Sequence, residues 1–293
     1  MLNGIFAPIP TPFNEDGDIL EDKLVENVNR WAETGLAGLV VLGSNGEFVY
    51  LTDDEKIRLL SLAREHFPKD RPIIAGTGCE STRNTIDLTC RAAEAGSDAA
   101  LVITPHFFGA GMTSARLHRH YTELADASPI PIMLYNMPRN TGLNMDVALI
   151  SNLSKHPNIV GIKDSGGNIA QISQIVRDTP EDFAVFAGSG SFLLPSLFMG
   201  AVGGTLAVAN VVPNLCAQIY DCFNAGDVDR ARDIQRAILD LNASVTTGFG
   251  IPGLKAALDL LGFYGGPPRL PLTPATDEAR QKLQGLLEDC GAL

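Results

Sequence analysis

The chain has 293 residues, 45% of them hydrophobic and only 19% charged, which supplies the apolar mass for one large α/β domain and excludes a disordered chain. A formal net charge of −12, with no Lys/Arg cluster to override its sign, excludes nucleic acid and anionic membrane surfaces as partners. No basic leader opens the sequence, no apolar run approaches the ~18 residues of a membrane span, and five cysteines without CxxC spacing indicate neither a disulfide framework nor a zinc site. A soluble, cytoplasmic protein with its cysteines buried as small hydrophobes is expected.

Eight short apolar runs follow one another along the chain, at residues 4–13, 38–43, 72–78, 99–105, 132–138, 159–164, 183–188 and 204–210. Each is continuous rather than alternating, as in parallel strands covered on both faces. After the first run comes Pro8-Ile9-Pro10-Thr11-Pro12, which is no glycine-rich dinucleotide fingerprint and so disfavours a doubly wound sheet. Helical signals fill the intervals. Thr52-Asp53-Asp54-Glu55 is a capping box ahead of Ile57, Leu60 and Ala63, residues 81–95 run from a polar cap to Gly96, and Asn168 precedes a stripe of Ile169, Ile172 and Ile175. Eight β units at roughly 30-residue intervals, most followed by a helix, predict a (β/α)8 barrel over residues 1–224, whose active site lies at the carboxyl ends of the strands. Residues 225–293 read as a helical extension packed on the barrel, with Gly265-Gly266-Pro267-Pro268 as a rigid loop before the last helix.

The strand ends therefore carry the search for chemistry. The sixth run, Ile159-Val160-Gly161-Ile162-Lys163-Asp164, ends on a lysine and opens into Ser165-Gly166-Gly167. A lysine there is short of water, and desolvation disfavours an ammonium, which is the condition for an amine that attacks a ketone to form a Schiff base. The plainer alternative is a lysine snorkelling to solvent; the other strand ends weigh against it. The second run ends in Gly43-Ser44-Asn45-Gly46-Glu47, a turn whose exposed N–H groups, hydroxyl and amide suit a carboxylate. The fifth ends in Tyr135-Asn136-Met137-Pro138-Arg139-Asn140, where a phenol beside an amine can move the protons of carbinolamine formation and dehydration. At the seventh, Gly188-Ser189-Gly190 leaves room for a ligand, and Gly203-Gly204-Thr205 in the eighth lets backbone approach. Of the histidines, His118 and His120 face different ways on one helix, His66 and His156 read as solvated, and His106 stands at the end of the fourth run.

These motifs, in this order and spacing, resemble the dihydrodipicolinate synthase and N-acetylneuraminate lyase family of class I aldolases over essentially the whole chain. The resemblance implies that Lys163 forms the Schiff base, that Tyr135 transfers protons, that Ser44 and Asn45 bind the carboxylate of a pyruvate-like keto acid, and that backbone near Thr205 closes the pocket. It also implies a homotetramer without metal or organic cofactor. Gly43 to Phe48, Gly78-Cys79-Glu80, His156-Pro157-Asn158 and Phe249-Gly250-Ile251-Pro252-Gly253-Leu254-Lys255 are most similar to 4-hydroxy-2-oxoglutarate aldolases. Two departures matter. Asn140 stands where the synthases of the family carry an arginine for aspartate semialdehyde, with Arg139 displaced by one. After Thr104-Pro105 the chain reads His106-Phe107-Phe108, without the tyrosine that relatives lend to a neighbouring subunit's proton relay, which leaves His106 or a water to supply that link. The expected reaction is cleavage of a short 4-hydroxy-2-oxo acid to pyruvate and an aldehyde, with Ser165 a candidate to hold the C4 hydroxyl or the aldehyde half and Gly188 and Asn140 among the substrate-binding residues. Condensation of pyruvate with aspartate semialdehyde is the alternative, and a keto-acid-binding barrel without turnover is a third.

Overall fold

Each apolar run of the sequence enters one sheet. A computed structural model describes residues 2–293. Strands β1 (Gly4–Pro8), β2 (Gly38–Val41), β3 (Ile73–Gly76), β4 (Ala99–Ile103), β5 (Ile132–Asn136), β6 (Ile159–Asp164), β7 (Ala184–Ala187) and β8 (Gly203–Thr205) pair in sequence order, all parallel, and β8 closes on β1. The fold is a (β/α)8 barrel. Helices α1 (Glu21–Ala32), α2 (Asp53–His66), α3 (Thr82–Glu94), α4 (Ser114–Ala127), α5 (Pro138–Thr141), α6 (Val147–Leu153), α7 (Ile169–Asp178), α8 (Leu193–Phe198) and α9 (Pro213–Asn224) follow the strands, and α10 (Val228–Ala237), α11 (Leu239–Ala243), α12 (Gly250–Leu260) and α13 (Asp277–Asp289) come after them.

Strands β1 and β8 stop well short of the ends of their apolar runs, for separate reasons. Pro8, Pro10 and Pro12 lack the N–H a ladder needs, so beyond Pro8 the first run keeps one bond to β2, from Ile9 N to Val40 O at 3.0 Å, and an isolated bridge between Phe13 and Ile19. Beyond Thr205 the chain turns into a 3-10 segment, Ala207–Asn210, because Asn210 Nδ2 donates to Pro8 O at 2.9 Å and to Ala207 O at 3.0 Å. The helix starts agree with their caps: the Thr52 side chain and Glu55 form the reciprocal box, and the Ser81 and Asn168 side chains each accept an N–H from the first turn.

Phe6, Val40, Ile74, Leu101, Met133 and Phe186 fill the barrel interior, with Phe6 and Phe186 edge to face at 5.5 Å, so the barrel is packed like a core rather than open as a pore. The helices after Asn224 have no separate core: Leu241, Val245, Leu254 and Leu283 join the same apolar cluster as Ile5, Leu24 and Val28. A turn of π-helix, Ser244–Gly248, connects α11 to α12, where the sequence gives no warning of it. Of the five free cysteines Cys216 is buried and the others are half-buried. His118 is exposed and His120 buried, as their spacing predicts, but His156 lies against Asp126 at 3.1 Å rather than in open solvent. No helix among the described residues is long and apolar enough to cross a membrane.

Glu55 links this extension to the barrel, because its carboxylate also takes the Arg269 guanidinium (Nη2 to Oε1 2.6 Å, Nη1 to Oε2 3.0 Å). The Arg269 hydrogen bonds, outweighing partial burial, hold the Glu55 carboxyl at about 2, below its ordinary 4.5. A carboxyl whose folded value is depressed stabilises the fold fully above its unfolded value and loses that contribution as pH falls through the folded one. Glu55→Gln should therefore be less stable than the parent at pH 7, with the gap closing as pH falls from 4.5 toward 2. Denaturant midpoints across that range measure it, and a gap independent of pH would mean that the ionised pair does not contribute.

Candidate active site

Side chains alternate across a strand, so consecutive residues of β6 serve opposite faces. Lys163 enters the barrel, where it is 4% exposed and stands in register with Tyr135 of β5 and Phe186 of β7. Its Nζ lies 4.3 Å from the centroid of the Tyr135 ring, and the Tyr135 hydroxyl is 3.4 Å from Ser44 Oγ at the end of β2. Ser44 and Tyr135 thus line one cavity at the carboxyl ends of the strands, together with Leu42, Gly78, Leu101 and Ile103, and Lys163 stands against the Tyr135 ring. A roomier open hollow on the helical rim, between α6 and α7, is lined by Ser151, Gln174, Arg177 and Asp178, and there Asp178 already takes up Arg177 at 2.6 Å. It lies away from the strand ends.

Asp164 faces the other way and fixes the strand ends from behind. Its Oδ2 accepts Asn136 Nδ2 at 2.8 Å and Gln171 Nε2 at 3.2 Å, and its Oδ1 accepts Gly166 N at 2.8 Å. Asn136 in turn donates to Asn144 Oδ1 (2.9 Å) and accepts Met145 N (3.0 Å). Buried polar groups satisfied in this way hold their strands in one arrangement, so Asp164 and Asn136 pin the backbone on which Lys163 and Tyr135 stand. Sequence reasoning assigned them no role. The available signal was that each is one residue past a candidate on neighbouring strands, hence paired on the outer face.

The Ser44–Gly46 segment is a 3-10 turn whose first i→i−3 bond runs from Gly46 N to Gly43 O at 2.9 Å, which leaves the N–H groups of Ser44 and Asn45 without partners inside the turn. The Asn45 side chain points back to β1, its Nδ2 3.5 Å from Pro8 O. Of this pair, then, Ser44 brings its side chain to Tyr135, and Asn45 has its backbone N–H to offer. That combination suits an anion such as a carboxylate.

The remaining candidates divide. Thr205 is buried at the end of β8, in register with Phe6. Gly188 serves a neighbour rather than a ligand: a Cβ there would run into Ser165 Oγ, and its N–H donates to Asp164 O at 2.7 Å. Ser165 Oγ is buried and makes no hydrogen bond within the protein. Asn140 and Arg139 are both exposed on the short α5, and neither lines the cavity of Ser44 and Tyr135. His106 is turned to Glu80 (3.1 Å) and Thr104 O (3.2 Å), whereas the Tyr135 hydroxyl meets Ser44, so of the two links the sequence leaves open, His106 or a water, the histidine gains no support.

Fold and site together define a barrel built around one inward lysine beside a phenol. The sequence matches the model of the dihydrodipicolinate synthetase family over residues 1–290, and the chain belongs to that family. It is a lyase of the class I aldolase type. It is similar to the 4-hydroxy-tetrahydrodipicolinate synthase of Methanothrix thermoacetophila, with 36% identity over 288 residues covering 98% of this chain and 96% of the relative. Its fold is similar to dihydrodipicolinate synthase from Thermotoga maritima (TM-score 0.96, 30% identity, 100% of both chains). It is equally similar to the chloride-inhibited dihydrodipicolinate synthase of Acinetobacter baumannii complexed with pyruvate (TM-score 0.95, 31% identity, 100% of both chains). The narrower resemblance to 4-hydroxy-2-oxoglutarate aldolases is not what these relatives' names carry.

Proposed function

We propose that this lyase cleaves a short 4-hydroxy-2-oxo acid, 4-hydroxy-2-oxoglutarate first among them, to pyruvate and an aldehyde such as glyoxylate. The observation that supports it is the succession of contacts from Lys163 Nζ to the Tyr135 ring and from the Tyr135 hydroxyl to Ser44 Oγ. The turn N–H groups and the Ser44 hydroxyl take the C1 carboxylate. Lys163 Nζ adds to the C2 ketone, Tyr135 carries protons to and from the carbinolamine oxygen, and loss of water leaves an iminium. When the C4 hydroxyl gives up its proton the C3–C4 bond breaks, its electron pair flows into the iminium, and the aldehyde departs. The enamine takes a proton at C3, and water releases pyruvate and the free amine. Ser165 Oγ, buried without a protein partner, is offered to the C4 hydroxyl, and Thr205 closes the carboxylate side.

The substrate assignment rests on α5. A fixed guanidinium would bind a second carboxylate through charge-assisted, bidentate bonds about twice as strong as neutral ones, and at this place the chain has an exposed amide, Asn140. The names of relatives at 36% identity favour a second reading, condensation of pyruvate with aspartate semialdehyde, in which Arg139 would swing in to serve that carboxylate. Side-by-side assays decide: cleavage of 4-hydroxy-2-oxoglutarate should exceed the condensation by at least about tenfold in kcat/KM, roughly 1.4 kcal/mol of transition-state discrimination. A faster condensation would establish the synthase reading. A homotetramer is proposed with either activity, supported by the edge-to-face pair Phe107 and Phe108, which are 77% and 72% exposed on the single chain. Sedimentation velocity counts the copies, and a monomer would remove this part of the proposal.

A further inference from the structure

Glu47 and Lys255 form a buried charge pair that the proposed reaction does not use. Their side chains are 0% and 1% exposed, and Lys255 Nζ lies 2.8 Å from Glu47 Oε1. Burying two charges gives no net stability over a well-packed apolar pair, so such a pair is better explained by geometry it enforces. The geometry is at hand. Among the described residues, Leu42 and Glu47 are the two non-glycine residues with positive φ, +64° and +57°, and they bracket the Gly43–Gly46 turn. Left-handed backbone is strained for residues with a Cβ and persists where the surroundings over-determine it.

At Leu42 the surroundings are β3, since a Cβ on Gly76 would strike the Leu42 carbonyl. At Glu47 they come from the C-terminal extension: Oε1 meets Lys255 of α12, and Oε2 accepts Arg269 N at 2.8 Å. Lys255 is itself tied to Pro267 O at 2.8 Å, and both its ammonium and the Arg269 guanidinium lie over the Phe13 ring, at 4.6 and 4.5 Å. We propose that Glu47 and Lys255 are positioning residues: the pair locks the left-handed end of the turn and so aims the Ser44 hydroxyl and the Ser44 and Asn45 N–H groups at the substrate carboxylate. This inference rests on the reading of that turn as the carboxylate site and of Lys163 as the imine-forming residue, and it makes α12 a working part of the barrel's site.

The test measures, in the folded full-length protein, the ketone concentration that half-saturates borohydride labelling of Lys163, for pyruvate and for hydroxyacetone, which has the ketone without the carboxylate. In Glu47→Gln/Lys255→Met the value for pyruvate should rise about tenfold or more while that for hydroxyacetone stays within about twofold, because misplaced donors affect the carboxylate alone. Glu47→Gly/Lys255→Met, in which glycine adopts the left-handed backbone without the pair, should recover most of the pyruvate value. It also serves if the first variant does not fold. Unshifted pyruvate values in folded variants, or equal shifts for both ketones, would overturn the inference while leaving the Schiff base intact. Absence of labelling in the parent would instead overturn the Schiff-base reading itself, and this inference with it.

Discussion

Lys163→Ala should abolish turnover, lowering kcat by at least about 10⁴-fold, the order of loss seen when a covalent nucleophile is removed. No other lysine can take over. Lys255 is as deeply buried, but its ammonium is held by Glu47 and Pro267 O. Lys163 differs in that its carboxylate neighbour Asp164 is committed to Asn136, Gln171 and Gly166, and its Nζ meets the Tyr135 ring instead. Steady-state assay of the folded variant checks the loss; retention of more than a small fraction of parental kcat would mean that the reaction does not pass through this amine.

Tyr135→Phe should lower kcat by about 10²- to 10⁴-fold, the usual range for a positioned proton-transfer group. The ring is retained, so packing against Lys163 and the register with it survive; what is lost is the hydroxyl 3.4 Å from Ser44. Labelling of Lys163 should become slower without disappearing, since addition of the amine can still occur while the dehydration that needs proton delivery is impaired. Single-turnover trapping separates the two steps. A Tyr135→Phe enzyme at parental kcat would place the proton transfers on water or another group.

Much of this was legible because the chemistry interrupts strong local patterns. Eight continuous apolar runs define the strands, and a lysine at the end of one of them stands out because nothing else charged precedes it in that run. Capping boxes are read from neighbouring residues, so Thr52, Ser81 and Asn168 mark helix starts directly. What local pattern cannot show is what a residue meets across the fold. Gly188 looks like space for a ligand and proves to be space for Ser165; His106 looks like a relay and is occupied by Glu80. The last apolar run overshoots its strand through 206–210, because the Asn210 amide that bends the chain finds its partner in β1. The Glu47–Lys255 pair joins distant parts of the chain, so each member alone reads as an ordinary charged residue.

The central claim is the identity of the nucleophile. Reduction with borohydride in the presence of pyruvate, followed by peptide mapping, should find one modified lysine, Lys163, with neither Lys255 nor any surface lysine labelled and no label in Lys163→Ala. Label on another lysine, label that survives that substitution, or no label at saturating pyruvate would contradict the account.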